Sequence, residues 1–261
     1  MFVLALQPSP TRSVRVSDTI RATSFSRLLT YENCPHHAKL AYLDKVPELP
    51  RPTPPSGEHA NDRGSRVHDA CEAYVRGQGE MVREMLAFKQ EFEHARNWFA
   101  QYPEDFEMED LWRFDTEWNN VDDRDFENIW LRVKLDLMVW VADDEAIVVD
   151  YKTGKRRFNE VKHAQQLQLY LLSSFMRYPQ LHVATAELWY LDQDELTRQS
   201  MTRKQALRYF RNFDERLKRM TSDTEFKPKP NGQSCKFCPY APSDYDNKWV
   251  KKNGACEMGV A

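Results

Sequence analysis

Apolar positions recur at helical intervals over the first hundred residues and then switch to alternation near residue 111. Ahead of the switch, SFSRLLTYENCPHHAKLAYLDKV (24–46) reads as two short helices broken near Pro35, because a proline pushes the residue before it out of helical space. PELPRPTPPSG (47–57) is a proline-rich connector. From Gly64 the run RGSRVHDACEAYVRG reads as a helix, and a second follows through EMVREMLAFKQEFEHARNWFAQ. Beyond the switch, LWRFDTEW (111–118) and WLRVKLDLMVWVAD (130–143) alternate, and AIVVDY (146–151) is a short buried run. These three are expected to be strands of one antiparallel sheet. A long helix in FNEVKHAQQLQLYLLSSFMRYP, a strand in ATAELWYL and a helix in TRKQALRYFRNFDERLKRM follow, before a turn-rich tail. The expected fold class is α/β, a central mixed sheet flanked by helices, with a helical N-terminal region and an irregular C-terminal lobe.

Composition narrows the function classes. With 261 residues, 30% of them charged and 41% hydrophobic, the chain can bury one substantial core. A formal charge of -3 argues against wholesale coating of nucleic acid but leaves room for a local basic track. No apolar run reaches membrane-spanning length, and FVLAL is too short and lacks the basic lead-in of a signal peptide. Five unevenly scattered cysteines do not suggest a secreted disulfide framework, so a reducing, cytoplasmic setting is expected.

The chemistry concentrates at VVDYKTGK (148–155). Strand side chains alternate, so Asp150 and Lys152 share one face and Tyr151 points to the other. A turn centred near Asp143 would set Asp136 opposite Asp150, with Cβ atoms roughly 4.5–5.5 Å apart. Asp136 shares its face with Arg132 and Lys134. Two carboxylates that close repel unless something neutralises them, and a hard divalent cation such as Mg²⁺ would do so. A register slip of one residue would undo the arrangement. His68 lies one helical turn after Gly64 and could add an imidazole ligand. Gln166 and Tyr170 are i,i+4 neighbours on a helix that starts close to the DYK strand end. Taken singly, each of these residues is more often an ordinary surface or core side chain.

Their order is similar to that of a known family. GxxxH, a strand ending LD, VDYKTG and then QLQLY resemble the RecB-like branch of the PD-(D/E)XK nuclease superfamily, across roughly residues 20 to 240. The resemblance implies a restriction-endonuclease-like core and a Mg²⁺- or Mn²⁺-dependent deoxyribonuclease. It would act on DNA ends or single strands, in recombination, repair, replication or CRISPR adaptation. It implies that His68, Asp136, Asp150 and the Tyr151 carbonyl hold the cation and that Lys152 positions or activates water. Gln166 and Tyr170 would support the site. Glu72 and Glu117 are given no role. The alternative is a catalytically silent nucleic-acid-binding or metal-scaffold protein with the same fold, although no motif residue is missing. The compact length suggests a prokaryotic or phage origin.

Cysteines form the second constellation. Cys235 and Cys238 stand in CKFCPY, a CxxC pair suited to one metal centre, with Cys256 further on and Cys34 near the N-terminus. The AddB-type and CRISPR-adaptation nucleases join one N-terminal cysteine to three C-terminal ones around a [4Fe–4S] cluster, and this set would equally suit Zn²⁺. The seventeen residues between Cys238 and Cys256 depart from the family's short gap, which leaves His36 or His37 as substitutes for Cys256. The expected organisation is an N-terminal segment, 1–22, and a single nuclease domain, 23–261, in which 23–46 and 227–261 form a metal-stapled lobe. Cys71 reads as a small buried helix residue. For DNA contact the candidates are Lys155, Arg156 and Arg157, directly after the DYK strand. Arg203, Lys204, Arg208, Lys227, Lys229, Lys251 and Lys252 could extend the track. Trp112, Phe158, Phe237 and Tyr240 are candidates for stacking on bases.

Overall fold

The computed structural model describes residues 18–55, 57–154, 156, 158–242 and 250–258. It opens with a two-residue strand, β1 (Thr23–Ser24), and helix α1 (Phe25–Asn33), whose first turn is capped by the Ser24 hydroxyl accepting the Arg27 N–H. Pro35 begins the next short helix, α2 (Pro35–Ala38), which runs on through a π-helical turn at Lys39–Leu43. Cys34, held extended ahead of the proline, marks the expected break. Helix α3 (Ala60–Val75) starts a turn earlier than the sequence suggested, with Asp62 in its first turn, where a negative charge favours the helix. A 3₁₀ segment, Arg83–Phe88, leads into α4 (Lys89–Phe99).

The strands depart from expectation in an informative way. The alternating run 130–143 is two strands, β4 (Leu131–Lys134) and β5 (Leu137–Ala142), and they belong to different sheets. The preceding pair does the same: β2 (Phe106–Met108) joins β5, whereas β3 (Leu111–Phe114) joins β4. Both segments of the chain therefore change sheets at one level. There the Leu135 N–H bonds to the Asp110 carbonyl at 2.9 Å and the Glu109 N–H to the Asp136 carbonyl at 3.0 Å. Glu109 takes a left-handed φ of 52° to make the change. The segment LWRFDTEW stops as a strand at Phe114, because the Asp115 carboxylate accepts the N–H groups of Glu117 and Asn119 and closes a turn.

The larger sheet is mixed rather than antiparallel. The central strand β6 (Glu145–Lys152) pairs antiparallel with β5 and parallel with β7 (Val183–Tyr190), through the crossover helix α5 (Glu160–Arg177). Leu137 pairs with Val149 and Trp140 with Ala146, a register centred on residue 143. An outer strand, β8 (Glu195–Thr202), was not visible in the sequence, because an edge strand with mostly solvent-facing polar residues has no apolar period. The helix read over 202–220 is α6 (Arg203–Ala206), a 3₁₀ turn and α7 (Phe210–Ser222). The tail contains a short helix, α8 (Gly232–Lys236), capped by Asn231. Hydrophobic cores lie on both faces of the sheet. Val148 belongs to the same core as Leu167 and Leu171 of α5, and Val149 to the other, with Val67 of α3 and Phe92 of α4. Among the described residues no helix is long and apolar enough to cross a membrane.

Arg203 leaves the expected DNA track. Its guanidinium donates to the carbonyls of Phe175, Tyr178, Pro179 and Leu181, at 2.6 to 3.1 Å, and so satisfies the last turn of α5 and the chain beyond it. Replacing Arg203 by alanine is expected to lower stability by about 2 kcal/mol through the stranded carbonyls. The thermal midpoint should fall while the folded protein keeps its nucleic-acid affinity. An unchanged midpoint with weakened nucleic-acid binding would return Arg203 to the track.

Candidate active site and thiol cavity

The joint between the sheets places Asp136 immediately ahead of β5, beside the end of β6. Asp136 Oδ2 accepts the Tyr151 N–H at 2.7 Å, and Oδ1 lies 3.0 Å from His68 Nδ1 on α3. Buried packing of Val67 and Cys71 against the sheet turns His68 toward the joint, where its ring meets Tyr151 edge-on. Arg63 fixes the start of α3 against the end of β6, through the Thr153 carbonyl at 3.1 Å and a forked pair with Asp192.

Asp150 faces α5. Its Oδ1 accepts the Tyr170 hydroxyl at 2.6 Å and the Gln166 amide at 3.1 Å, and Gln166 also donates to the Tyr170 oxygen. The Lys152 ammonium donates to Gln166 Oε1 at 3.0 Å and lies 2.5 Å from Asp150 Oδ2. That last contact is a charge contact without hydrogen-bond alignment, so among the described residues Asp150 Oδ2 has a charge partner but no aligned donor. His68, Asp136, Asp150, Lys152, Gln166 and Tyr170 are thus brought together, and the Tyr151 backbone lies among them.

Nothing in the residue pattern pointed to Glu109. Together with His68 and Asp136 it offers three ligand atoms within 4.8 Å of one another. Among the described residues this is the only such group of three. Asp150 stands beside the group rather than in it. Glu109 Oε2 touches Lys134 at 2.5 Å, and its buried Oε1 has no hydrogen-bond partner among the described residues. Its spacing from Asp136 matches no motif, and only the sheet change brings it there. The other weighed acids lie elsewhere: Glu72 pairs with Arg76 at 2.8 Å, and Glu117 sits in the turn after β3.

Charge is poorly balanced at this point. Burial and the neighbouring Asp150 charge raise the Asp136 pKa above the usual carboxylate range, against the opposing pull of His68 and the Tyr151 N–H. Burial works against a charged His68, but the Asp136 hydrogen bond and the Asp136, Asp150 and Glu109 charges outweigh it and raise the histidine. Burial and the two aspartates also raise Tyr170, which keeps it a donor. A buried Glu109 oxygen with no donor among the described residues, a nearby imidazole and three clustered carboxylates suit a hard divalent cation.

An open cavity of about 790 Å³ lies over these groups. Arg27, Arg132, Lys134, Lys152 and Lys162 line it. Burial and Lys152 lower the Lys162 pKa, and His163, bonded to the Tyr190 hydroxyl at 2.7 Å, is lowered to about 4 by burial, Lys152 and Lys162. Arg27 and Lys162 were missed as cavity residues, although Lys162 precedes Gln166 by one turn of the same helix. Lys155 and Arg157 lie outside the described residues. Arg156 turns to Glu195 at 3.0 Å instead. Trp112 and Tyr240 are buried and cannot stack on bases, whereas Phe158 and Phe237 are exposed. Lys227 pairs with Glu225, and Lys229 donates to the Glu32 carbonyl.

Cys34, Cys235, Cys238 and Cys256 line a second cavity, of about 400 Å³, with His37 on its wall. The Lys229 N–H points at Cys34 Sγ at 3.4 Å, and the Cys256 N–H bonds to the Tyr240 carbonyl at 2.7 Å, which draws the late cysteine back to the CxxC turn. Burial pushes the Cys238 thiol up to about 11. His36 is not part of the lining. Cys71 is buried in the α3–α4 core, as expected.

No curated protein matches the chain. Solved structures that resemble it include the protein SSO0001, with 13% identity, 84% of this chain and 83% of that one covered, and a TM-score of 0.39. A candidate exonuclease from Eubacterium rectale shows 12% identity, coverage of 86% and 90%, and a TM-score of 0.41. The alkaline exonuclease LHK-Exo from Laribacter hongkongensis shows 9% identity, coverage of 79% and 89%, and a TM-score of 0.32. The profile of one protein family matches residues 22–243, nearly the whole described chain. That family is the PD-(D/E)XK nuclease superfamily, and the chain belongs to it.

Proposed function

We propose that the protein is a Mg²⁺- or Mn²⁺-dependent deoxyribonuclease that hydrolyses phosphodiester bonds in single strands or at DNA ends. The observation that carries this reading is the crowding of Asp136, Asp150, Glu109 and His68 at one buried joint, with the Lys152 ammonium beside it. His68, Asp136 and Glu109 would hold the cation, with Asp150 and the Tyr151 carbonyl available to complete its shell. A bound divalent ion supplies Lewis acidity to the phosphoryl oxygen and a more acidic water.

Lys152 is anchored by Gln166 Oε1 and the Asp150 charge, so its ammonium is aimed rather than free to rotate. It can orient an attacking water and oppose charge gathering on a phosphoryl oxygen. Gln166 and Tyr170 act through Asp150: their hydrogen bonds fix the carboxylate so that its second oxygen points into the site. Arg27, Arg132 and Lys162 would receive neighbouring phosphates. The open cavity leaves the site accessible to a strand laid across it. Such an activity fits recombination, repair, replication or CRISPR adaptation.

For the four thiols we favour a [4Fe–4S] cluster over zinc. Cysteines closing on one Zn²⁺ bring their sulfurs to about 3.8 Å from one another, given Zn–S bonds of about 2.3 Å in a tetrahedron. Among the described residues no three cysteine sulfurs approach within 4.8 Å, yet all four surround one cavity. A cavity of about 400 Å³ faced by all four leaves room for a larger group held by four thiolates. The cluster would staple 23–46 to 227–261 as one lobe.

Asp150→Asn and Lys152→Ala are each expected to lower cleavage of labelled single-stranded DNA with Mn²⁺ by about 10³-fold, leaving the fold intact. Cleavage retained by both variants, or absent from the wild type with either metal, would remove the nuclease reading. Anaerobically purified protein should be brown, with about four irons per chain and broad visible absorption. A colourless, zinc-loaded preparation would reverse the choice of group.

A further inference from the structure

Seventeen residues separate Cys238 from Cys256, and something must bring the last thiol back to the CxxC turn. The returning segment lies along that turn through backbone bonds from Asn253 to Pro239 at 2.9 Å and from Gly254 to Ala241 at 3.1 Å. Gly254 adopts a left-handed φ of 72°, which lets the chain turn inward ahead of Cys256. The Asn253 side chain ties the segment to the Pro47 carbonyl at 2.9 Å.

Lys252 is the unexpected member. Instead of lying in a surface track, it is 2% exposed. Its ammonium donates to the carbonyls of Cys235, Lys236 at 3.0 Å and Cys238 at 3.3 Å. Both cysteines of the CxxC turn are therefore held by their own carbonyls on one nitrogen, four residues before the third cysteine. Three converging carbonyls, that of Cys235 buried and the other two partly so, take three donors, and a lysine ammonium supplies them from a single atom.

We propose that Lys252 is the positioning residue of the thiol site, locking the segment that carries Cys256 onto the turn that carries Cys235 and Cys238 before any metal arrives. The proposal rests on the reading of the four thiols as a metal centre. Metal-bound thiolates are anionic, so an ammonium behind their turn also opposes the charge they accumulate. Preassembly of this kind is the usual contribution of residues behind a ligand shell.

The test compares full-length wild type, Lys252→Met, Cys256→Ser and the double variant, each purified anaerobically. Lys252→Met is expected to release iron to a chelator about tenfold faster than wild type, with weakened visible absorption. On the Cys256→Ser background the same change should add little, because both act through one ligand. Wild-type iron retention in Lys252→Met, or fully additive losses, would overturn the proposal. If Lys252→Met does not fold, as read from its thermal midpoint, Lys252→Gln keeps two of the three donors and should give intermediate retention. A second arm uses metal-free protein under a mild thiol oxidant. Disulfide formation between Cys256 and the CxxC pair should be slower in the lysine variants than in wild type. Equal rates would sink the positioning role, whereas a wild type without iron would sink only the cluster reading.

Discussion

The joint at which two adjacent strands leave one sheet and enter another fixes where this protein can hold buried charge. At Glu109–Asp110 and Leu135–Asp136 the backbone N–H and carbonyl groups bond to each other across the change. Side chains that would otherwise alternate between faces instead converge from two strands. Glu109 and Asp136 meet there, β6 delivers Asp150 and Lys152 beside them, and α3 supplies His68.

Charge at the joint is held at a cost that the neighbouring bonds only partly offset. At the roughly 5 Å spacing of directly opposed strand residues, two carboxylates repel by about 3 kcal/mol at an effective dielectric of about 20. Removing each from water adds several kcal/mol more. A hydrogen bond to a charged group returns about 1.5–3 kcal/mol. Asp150 keeps the Tyr170 and Gln166 bonds and the Lys152 charge as its partners. For Asp136 burial and Asp150 win over His68 and the Tyr151 N–H, so its affinity for a proton rises. The Asp150 charge that helps to raise Asp136 would also attract a cation, and a metal bound by Asp136 would need its deprotonated form.

The sequence revealed the residues of β6 and α5 because their chemistry follows simple periods. Alternation placed Asp150 and Lys152 on one face, helical spacing paired Gln166 with Tyr170, and a turn near residue 143 set the register of β5 on β6. It misjudged the run 130–143, since alternation is the same whether a strand stays in one sheet or crosses to another. For that reason Glu109 was invisible: its place depends on a backbone bend with φ of 52° and not on spacing. Lys252 was misread for a related reason, because a lysine in a polar tail carries no local sign that three carbonyls converge on it. Arg203 likewise looked like a basic surface residue until the end of α5 was seen to need donors.

Cys34 at the break before Pro35 and the cysteines of the tail face one cavity, so the two ends of the described chain meet on the α1 side of the fold. In the proposed function this lobe is structural and the joint is chemical, and the two can be separated by experiment. The most direct measurement of the joint is anomalous diffraction from crystals soaked in Mn²⁺. An anomalous peak bounded by His68, Glu109 and Asp136, within reach of Asp150, is the expected result. Well-ordered side chains at the joint with no peak between them, or a peak that leaves Asp136 outside its ligand shell, would contradict it.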